Sequence, residues 1–281
     1  MERETVLKLI AAISPMAEDY VRDNIENTII LYSEEEKGVF LKAVCEGLCV
    51  YYAKFPEDSS PKLLQIINDE MDRCVSMQGE LCFNVQGRNR KIIELVQRKG
   101  FTLDMEGYIL KHDNVTPVAD DYLDGLTVGG FNSFMCDAFV ELFESAYERM
   151  NLENGWDATS YSRDAENFCN QLKEFHEQRM MQAFWDQIDL VGCYIIDGPF
   201  IKDIVVHPHF QNKGYGSLIL RHCIRFMREE KGISEIFLRV TKSNEGAKRL
   251  YERNGFRGVS YFAEHTYHRA AENVSQILLT R

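Results

Sequence analysis

The sequence predicts an α/β (α+β) protein built as two similar units in tandem, each a mixed, mostly antiparallel sheet flanked by helices. Three observations lead there. Runs rich in β-branched and aromatic residues alternate with apolar positions at helical spacing along the 281 residues. A polar stretch, 112–121, holds Pro117 and breaks that pattern. The two sides of the break also repeat one another. Setting 81–85 against 236–240 pairs Gly100-Phe101 with Gly255-Phe256 at a constant offset of 155 (256 minus 101). Six of those 21 positions are identical: Val85/Val240, Asn89/Asn244, Leu95/Leu250, Arg98/Arg253, Gly100/Gly255 and Phe101/Phe256. Chance gives about one at ordinary composition, and both copies read strand, helix, Gly-Phe, strand. The expected division is 1–113, a linker at 114–122, and 123–281.

Taken in order, spans 3–12 and 16–26 read as helices, with Ser14 as a cap and Pro15 in the first turn. Three β-rich runs, 28–32, 39–44 and 48–53, form an antiparallel meander. Leu63, Leu64, Ile67 and Met71 have helical spacing, 81–85 is a strand, 89–98 a helix and 105–111 a strand. Beyond the linker come a strand at 126–130 and a helix at 133–149 with Phe134, Ala138, Leu142, Phe143 and Ala146 on one side. A helix at 160–177 and strands at 184–185, 190–196 and 200–206 follow. Next are a helix at 214–230, a strand at 235–241, a helix at 244–253 and a final strand at 276–280.

Composition excludes several classes. With 45% hydrophobic and 27% charged residues the chain is an ordinary globular protein. A net charge of −12 argues against a nucleic-acid surface, which needs clustered Lys and Arg, and favours cationic small molecules as partners. No basic leader precedes an apolar core at the N-terminus and no run has the length of a membrane span, so a cytoplasmic protein without a membrane partner is expected. The eight cysteines, at 45, 49, 74, 82, 136, 169, 193 and 223, include no Cys-x-x-Cys pair. They read as structural residues, Cys45 and Cys49 as buried thiols, and no metal is expected.

One stretch organises the second half. Ile204, Val205 and Val206 form a β-branched run that Pro208 stops, and Gly214 and Gly216 open the apolar series Leu218, Ile219, Leu220. Two glycines let main-chain N–H groups converge, and at a helix start such a turn holds a phosphate or diphosphate. Lys213 adds charge and the Ser217 hydroxyl a donor.

Three motifs carry a family resemblance: Val205-Val206-His207-Pro208; Gln211-Asn212-Lys213-Gly214-Tyr215-Gly216; and Asn244, Ala247, Leu250-Tyr251 and Gly255-Phe256 at their mutual spacing. In that order they resemble the GNAT superfamily of acyl-CoA-dependent N-acyltransferases, and the resemblance covers roughly residues 123 to 281. It implies acetyl-CoA as the acyl donor. Its diphosphate lies on the N–H groups of Gln211 through Ser217, and its acetyl and pantetheine amides on the main chain at Val206, where two strands splay apart. The coenzyme residues implied are therefore Ile204, Val205, Val206, Gln211, Asn212, Lys213, Gly214, Tyr215, Gly216, Ser217, Asn244, Ala247 and Tyr251.

By the same resemblance Tyr251 is the general acid that protonates the departing thiolate; it reads otherwise as a buried aromatic beside Leu250. Asn244 contacts the coenzyme, caps the following helix, or both. Asp203 is the nearest carboxylate for deprotonating an amine, but its parity is opposite to that of Val206, and the position the family gives to a glutamate aligns with Phe200. His207 and His209 are proton carriers or solvent-facing turn residues, and Lys248 and Arg249 reach phosphates or form a solvated helix face. An acidic region holding Glu144, Glu148, Glu153, Asp157, Asp164, Glu166, Glu174 and Glu177, with the loop 151–157 around Trp156, suits a cationic acceptor. The loop reads equally as a capped, anchored one.

The first half lacks these features. Residues 55–62 contain no Gly-x-Gly, Val96 stands where the second half has Tyr251, and Asn89 is explained by helix capping. One active centre per chain is expected, with the first half a degenerate copy. The sequence thus predicts an N-acetyltransferase acting on a primary amine of a cationic small molecule or peptide by direct attack in a ternary complex. The alternative is a non-catalytic acyl-CoA-binding or regulatory module. Oligomeric state and acyl-chain length are not read from it.

Overall fold

The computed structural model describes residues 3–34, 37–45, 47–57, 60–74, 79–114 and 125–268. Compactness divides the chain into Met1–Gly107 with Ser260–Arg281, and Tyr108–Val259. The first half runs α1 (Arg3–Ala11), α2 (Pro15–Asp23), β1 (Thr28–Glu34), β2 (Gly38–Cys45), β3 (Leu48–Lys54), α3 (Pro61–Cys74), β4 (Glu80–Gln86), α4 (Arg90–Arg98) and β5 (Phe101–His112). The second runs β6 (Thr127–Gly129), α5 (Cys136–Asn154), α6 (Ser160–Arg163), α7 (Ala165–Glu177), β7 (Met181–Asp186), β8 (Asp189–Asp197), β9 (Phe200–Val206), α8 (Tyr215–Glu229), β10 (Phe237–Thr241), α9 (Glu245–Arg253) and β11 (Phe256–Tyr267). The mixed α/β architecture is the predicted one.

In the first unit β1, β2 and β3 form the expected antiparallel meander, and β3 pairs in parallel with β4 over the whole run from Leu48↔Glu80 to Lys54↔Gln86. The end of β11 joins this unit, antiparallel to β4 from Phe262↔Gln86 to Tyr267↔Leu81. The compact units differ from a single division at 114–122 in that the end of β11 groups with the first unit through its pairing with β4; residues 115–122 lie outside the described residues. So does the strand expected at 276–280. Ser14 caps α2 as predicted, accepting from Ala17 N.

In the second unit the strand order is β6-β7-β8-β9-β10-β5. One face packs on α5 and α7 through Phe139, Leu142, Phe143 and Leu172 against Met181, Ala183, Cys193, Ile195 and Val205. The other packs on α8 through Leu218, Ile219, Leu220 and Cys223 against Tyr194, Ile196, Ile201 and Leu238. Each such fully buried aliphatic or aromatic side chain contributes roughly 1.5–3 kcal/mol, which fixes the sheet between its helices.

Four expectations are corrected. Phe134 is 99% exposed, because Asn132 caps a separate 3₁₀ turn, Ser133–Met135, and α5 begins only at Cys136. The helix expected at 160–177 is broken between α6 and α7 at Asp164. Cys136 and Cys169 form a disulfide between the start of α5 and α7, although 33 residues separate them; Cys49 is buried as expected, whereas Cys45 is only half-buried. Asn89 does not cap α4 through its side chain, which donates instead to the carbonyls of Phe55 (2.7 Å) and Gln86 (3.0 Å).

Candidate functional site

The site grows from the end of β9. Beyond the pairs Phe237↔Phe200 and Leu238↔Ile201, no further β9–β10 pairing occurs among the described residues, although β9 runs on to Val206 and β10 to Thr241. On its other side β9 stays bonded to β8, with Gly192 opposite Val206 and His207 N donating to Val191 O at 2.9 Å. Residues 191 and 207 are thus a hydrogen-bonded pair. The adjacent Gly192/Val206 pair is then non-bonded, so the N–H and C=O of Val206 turn away from β8 toward the parted edge. The carbonyl is taken by Gln211 Nε2 at 3.0 Å. The N–H faces the gap.

The turn from β9 to α8 lies beside that gap. Gln211 N is bonded to Pro208 O, and Ser217 and Leu218 N to Gly214 O. The N–H groups of Asn212, Lys213, Gly214, Tyr215 and Gly216 have no acceptor among the described residues, as expected for a helix start. Asn212 has φ 60° and Gly214 φ 94°, left-handed conformations that curl the main chain into an anion nest. A Cβ on Gly216 would lie 3.3 Å from Leu250 Cδ2 and 3.9 Å from Val206 Cγ2, so glycine there lets the helix start come close to the strand end and to α9. Lys213 sits over the Phe210 ring at 5.5 Å. Ser217 Oγ accepts from Asn254 Nδ2 at 3.2 Å, which leaves its hydrogen available to donate. The residues present therefore suit a diphosphate group on an extended thioester arm.

Helix α9 closes the other side. Asn244 caps it, accepting from Ala247 N at 3.1 Å, and its amide also meets Met150 Sδ at 3.7 Å. Ala247 and Leu250 pack against the α8-side core, and Tyr251, 9% exposed, belongs to it. Burial first, and then the charge of Asp203, hold the Tyr251 phenol above its ordinary value, so it is protonated at neutral pH.

Asp203 faces α5, opposite to Val206, as strand parity requires. A bulge in the β8–β9 ladder, where Ile195 pairs with Asp203 and Ile196 already with Ile201, leaves Lys202 as the extra residue and brings it to the same side. Lys202 and Asp203 consequently both lie toward α5 and α7: Lys202 Nζ is 4.8 Å from the Phe175 ring centre, and Asp203 Oδ1 accepts from Tyr147 Oη at 2.8 Å. Burial raises the Asp203 carboxyl above the usual range, and the bond from Tyr147 opposes that rise. Facing α5 does not isolate Asp203 from Tyr251, since its charge acts on Tyr147, Tyr161 and Tyr251 alike.

Other candidates are not part of this arrangement. His207 Nδ1 accepts from His209 N within their own turn. Lys248 pairs with Glu252 and Arg249 with Glu245 on the surface of α9. Much of the acidic region is internally neutralised: Glu153 pairs with Arg149, Asp157 with Arg163 and Glu177 with Lys173, while Glu144 accepts from Ser162 N. The loop 151–157 is anchored by Trp156 N to Asn151 O and by Asn151 Nδ2 to Asp157 O. Tyr147 and Tyr161 were not singled out from sequence, although Tyr147 follows Phe143 by four residues on the buried side of α5.

Residues 137–256 match the model of the acetyltransferase (GNAT) family. A segment of 98 residues is 32% identical to the [Ribosomal protein bS18]-alanine N-acetyltransferase of Salmonella typhimurium, over 35% of this chain and 61% of that protein. Among solved structures, an acetyltransferase from the GNAT family of Colwellia psychrerythraea superposes with a TM-score of 0.56 at 10% identity, over 84% of each chain. A tandem GNAT protein from the clavulanic acid biosynthesis pathway superposes with a TM-score of 0.51 at 13% identity, over 95% of this chain and 94% of that one. The last covers both halves, and the first half of this chain is GNAT-like in fold as well. No helix among the described residues is long and apolar enough to cross a membrane.

Proposed function

We propose that this protein is an acetyl-CoA-dependent N-acetyltransferase with one active centre, in residues 108–259, acting on a primary amine of a cationic small molecule or peptide. The observation that carries the reading is the parting of β9 from β10 directly beside the free N–H groups of 212–216. A gap edged by the Val206 N–H takes an extended amide-bearing arm, and the turn takes its diphosphate. Ile204, Val205 and Val206 supply the strand edge, Asn212 through Ser217 the cradle, and Asn244 and Ala247 the flank. Gln211 contributes by tying the turn to the strand.

When bound, acetyl-CoA supplies an activated thioester. In this reading the Val206 N–H polarises its carbonyl and stabilises the tetrahedral oxyanion. Asp203 takes a proton from the entering ammonium, freeing the nitrogen to attack, and burial makes this carboxylate a stronger base than an exposed one. As the carbon–sulfur bond breaks, Tyr251 donates its phenolic proton to the thiolate. Of the two protons the ammonium loses in forming the amide, one is matched by that on the thiol and one leaves to solvent.

The test is release of free thiol from acetyl-CoA in the presence of polyamines, aminoglycosides, amino acids and peptides. Turnover with at least one amine supports transfer directly to the acceptor. Tight acetyl-CoA binding with no thiol release for any of them would make the chain an acyl-CoA-binding module instead.

A further inference from the structure

Asp203 is held by a group that the catalytic reading does not use. Tyr147, on α5, donates from Oη to Asp203 Oδ1 at 2.8 Å, and no partner for Oδ2 occurs among the described residues. The tyrosine is itself fixed. Its ring stacks on Tyr161 at 6.3 Å and 24° and meets Phe143 at 6.1 Å, while Tyr161 packs on Phe143 at 5.3 Å and Phe168 at 4.8 Å. Phe143, Cys193 and Val205 beneath are buried, whereas Tyr147, Tyr161 and Asp203 retain partial access to solvent. One carboxylate oxygen is thus occupied by a rigid donor, and the other has no hydrogen-bond partner among the described residues.

We propose that Tyr147 is the positioning residue for the amine-deprotonating carboxylate, holding Asp203 so that Oδ2 receives the proton of the entering ammonium. The proposal rests on the acetyltransferase reading above. Proton transfer is sensitive to the direction of the accepting lone pair, and among the described residues the bond from Tyr147 is the hydrogen bond that restrains the Asp203 carboxylate. Tyr147 also acts on basicity. The groups around Asp203 are Tyr147 from α5, Tyr161 from α6, Cys193 from β8, Tyr251 from α9 and its own neighbour Lys202; burial raises the carboxyl, and of these groups Tyr147 and Lys202 counter the rise.

Tyr147→Phe keeps the ring and removes the donor. The expected result is a fall in kcat/KM at neutral pH of roughly 10- to 100-fold, with the acidic limb of the kcat/KM profile moved to higher pH. The ¹³C titration of the Asp203 carboxyl, assigned with Asp203→Asn, moves the same way. Tyr161→Phe, whose hydroxyl makes no bond to Asp203, leaves the limb in place. Asp203→Glu retains a base but carries it past Tyr147, and is expected to lose activity to a similar extent. Wild-type limb and carboxyl titration in Tyr147→Phe, or wild-type kcat/KM in Asp203→Glu, overturns the positioning role while leaving the acetyltransferase reading intact. Failure of the wild-type chain to acetylate any amine overturns that reading, and this proposal with it.

Discussion

Tyr251 belongs to the α8-side core and Asp203 faces α5, and the acid and base roles proposed for them rest on how each is surrounded. Burial and the neighbouring carboxylate keep the phenol protonated; burial keeps the carboxylate ready to gain a proton. Tyr251→Phe should therefore lower kcat by about 10² to 10⁴ in the chemical step with little change in acetyl-CoA affinity, and near-normal single-turnover rates would remove the acid role. Asp203 also carries a cost to the fold. Its carboxyl binds a proton more tightly folded than unfolded, so the penalty is full above its folded pKa and is relieved as pH falls through it. Asp203→Asn should accordingly raise the melting temperature at alkaline pH and have a smaller effect in acid, while lowering turnover; equal melting shifts at both ends would contradict the burial argument. Asn244 and the two glycines were legible in sequence because spacing marks a helix start and a capped helix, whereas Tyr251 was singled out by the family resemblance. Tyr147 was not legible, because an aromatic four residues after Phe143 on an apolar helix face looks like core, and only the packing of α5 on β9 reveals what its hydroxyl meets.

Among the elements, the turn before α8 works through main chain more than side chains. Gly214 holds φ 94° with open space where a Cβ would stand, so a substitution is penalised by conformation and by what it adds to the nest, not by collision. Gly214→Asp places a negative charge among the free N–H groups and should abolish acetyl-CoA binding; unchanged calorimetric affinity would falsify the cradle. The Cys136–Cys169 disulfide ties the start of α5, the helix carrying Tyr147, to α7. Opening a loop of that length costs about 3.7 kcal/mol, so Cys136→Ser should lower the denaturation midpoint in oxidising buffer but leave it unchanged under full reduction relative to reduced wild type. Element boundaries followed the residue patterns closely where caps marked them. The repeat is reproduced to the residue: Arg90–Arg98 and Glu245–Arg253 differ by 155 at both ends, as do Phe101–His112 and Phe256–Tyr267. The disulfide, the break at Asp164 and the detached Phe134 turn left no periodic signal.

Across the whole molecule the two halves share a fold, and one of the differences between them is a ladder. β3 and β4 are paired along seven residues in the first half, whereas β9 and β10 keep only two pairs in the second. Asn89, the counterpart of Asn244, reinforces the closed edge by bonding Phe55 and Gln86 carbonyls. The missing glycine turn in the first half was legible in sequence, but closure of the strands is a tertiary property that no local pattern encodes. One acetyl-CoA per chain is expected in a calorimetric titration, and two equivalent sites would contradict the assignment of the first half. The central claim, acetyl transfer to an amine, is tested most directly by amine-dependent release of thiol from acetyl-CoA by the intact chain. The account predicts release with at least one primary amine, matched by loss of that amine; release with none, from protein that binds acetyl-CoA, would contradict it.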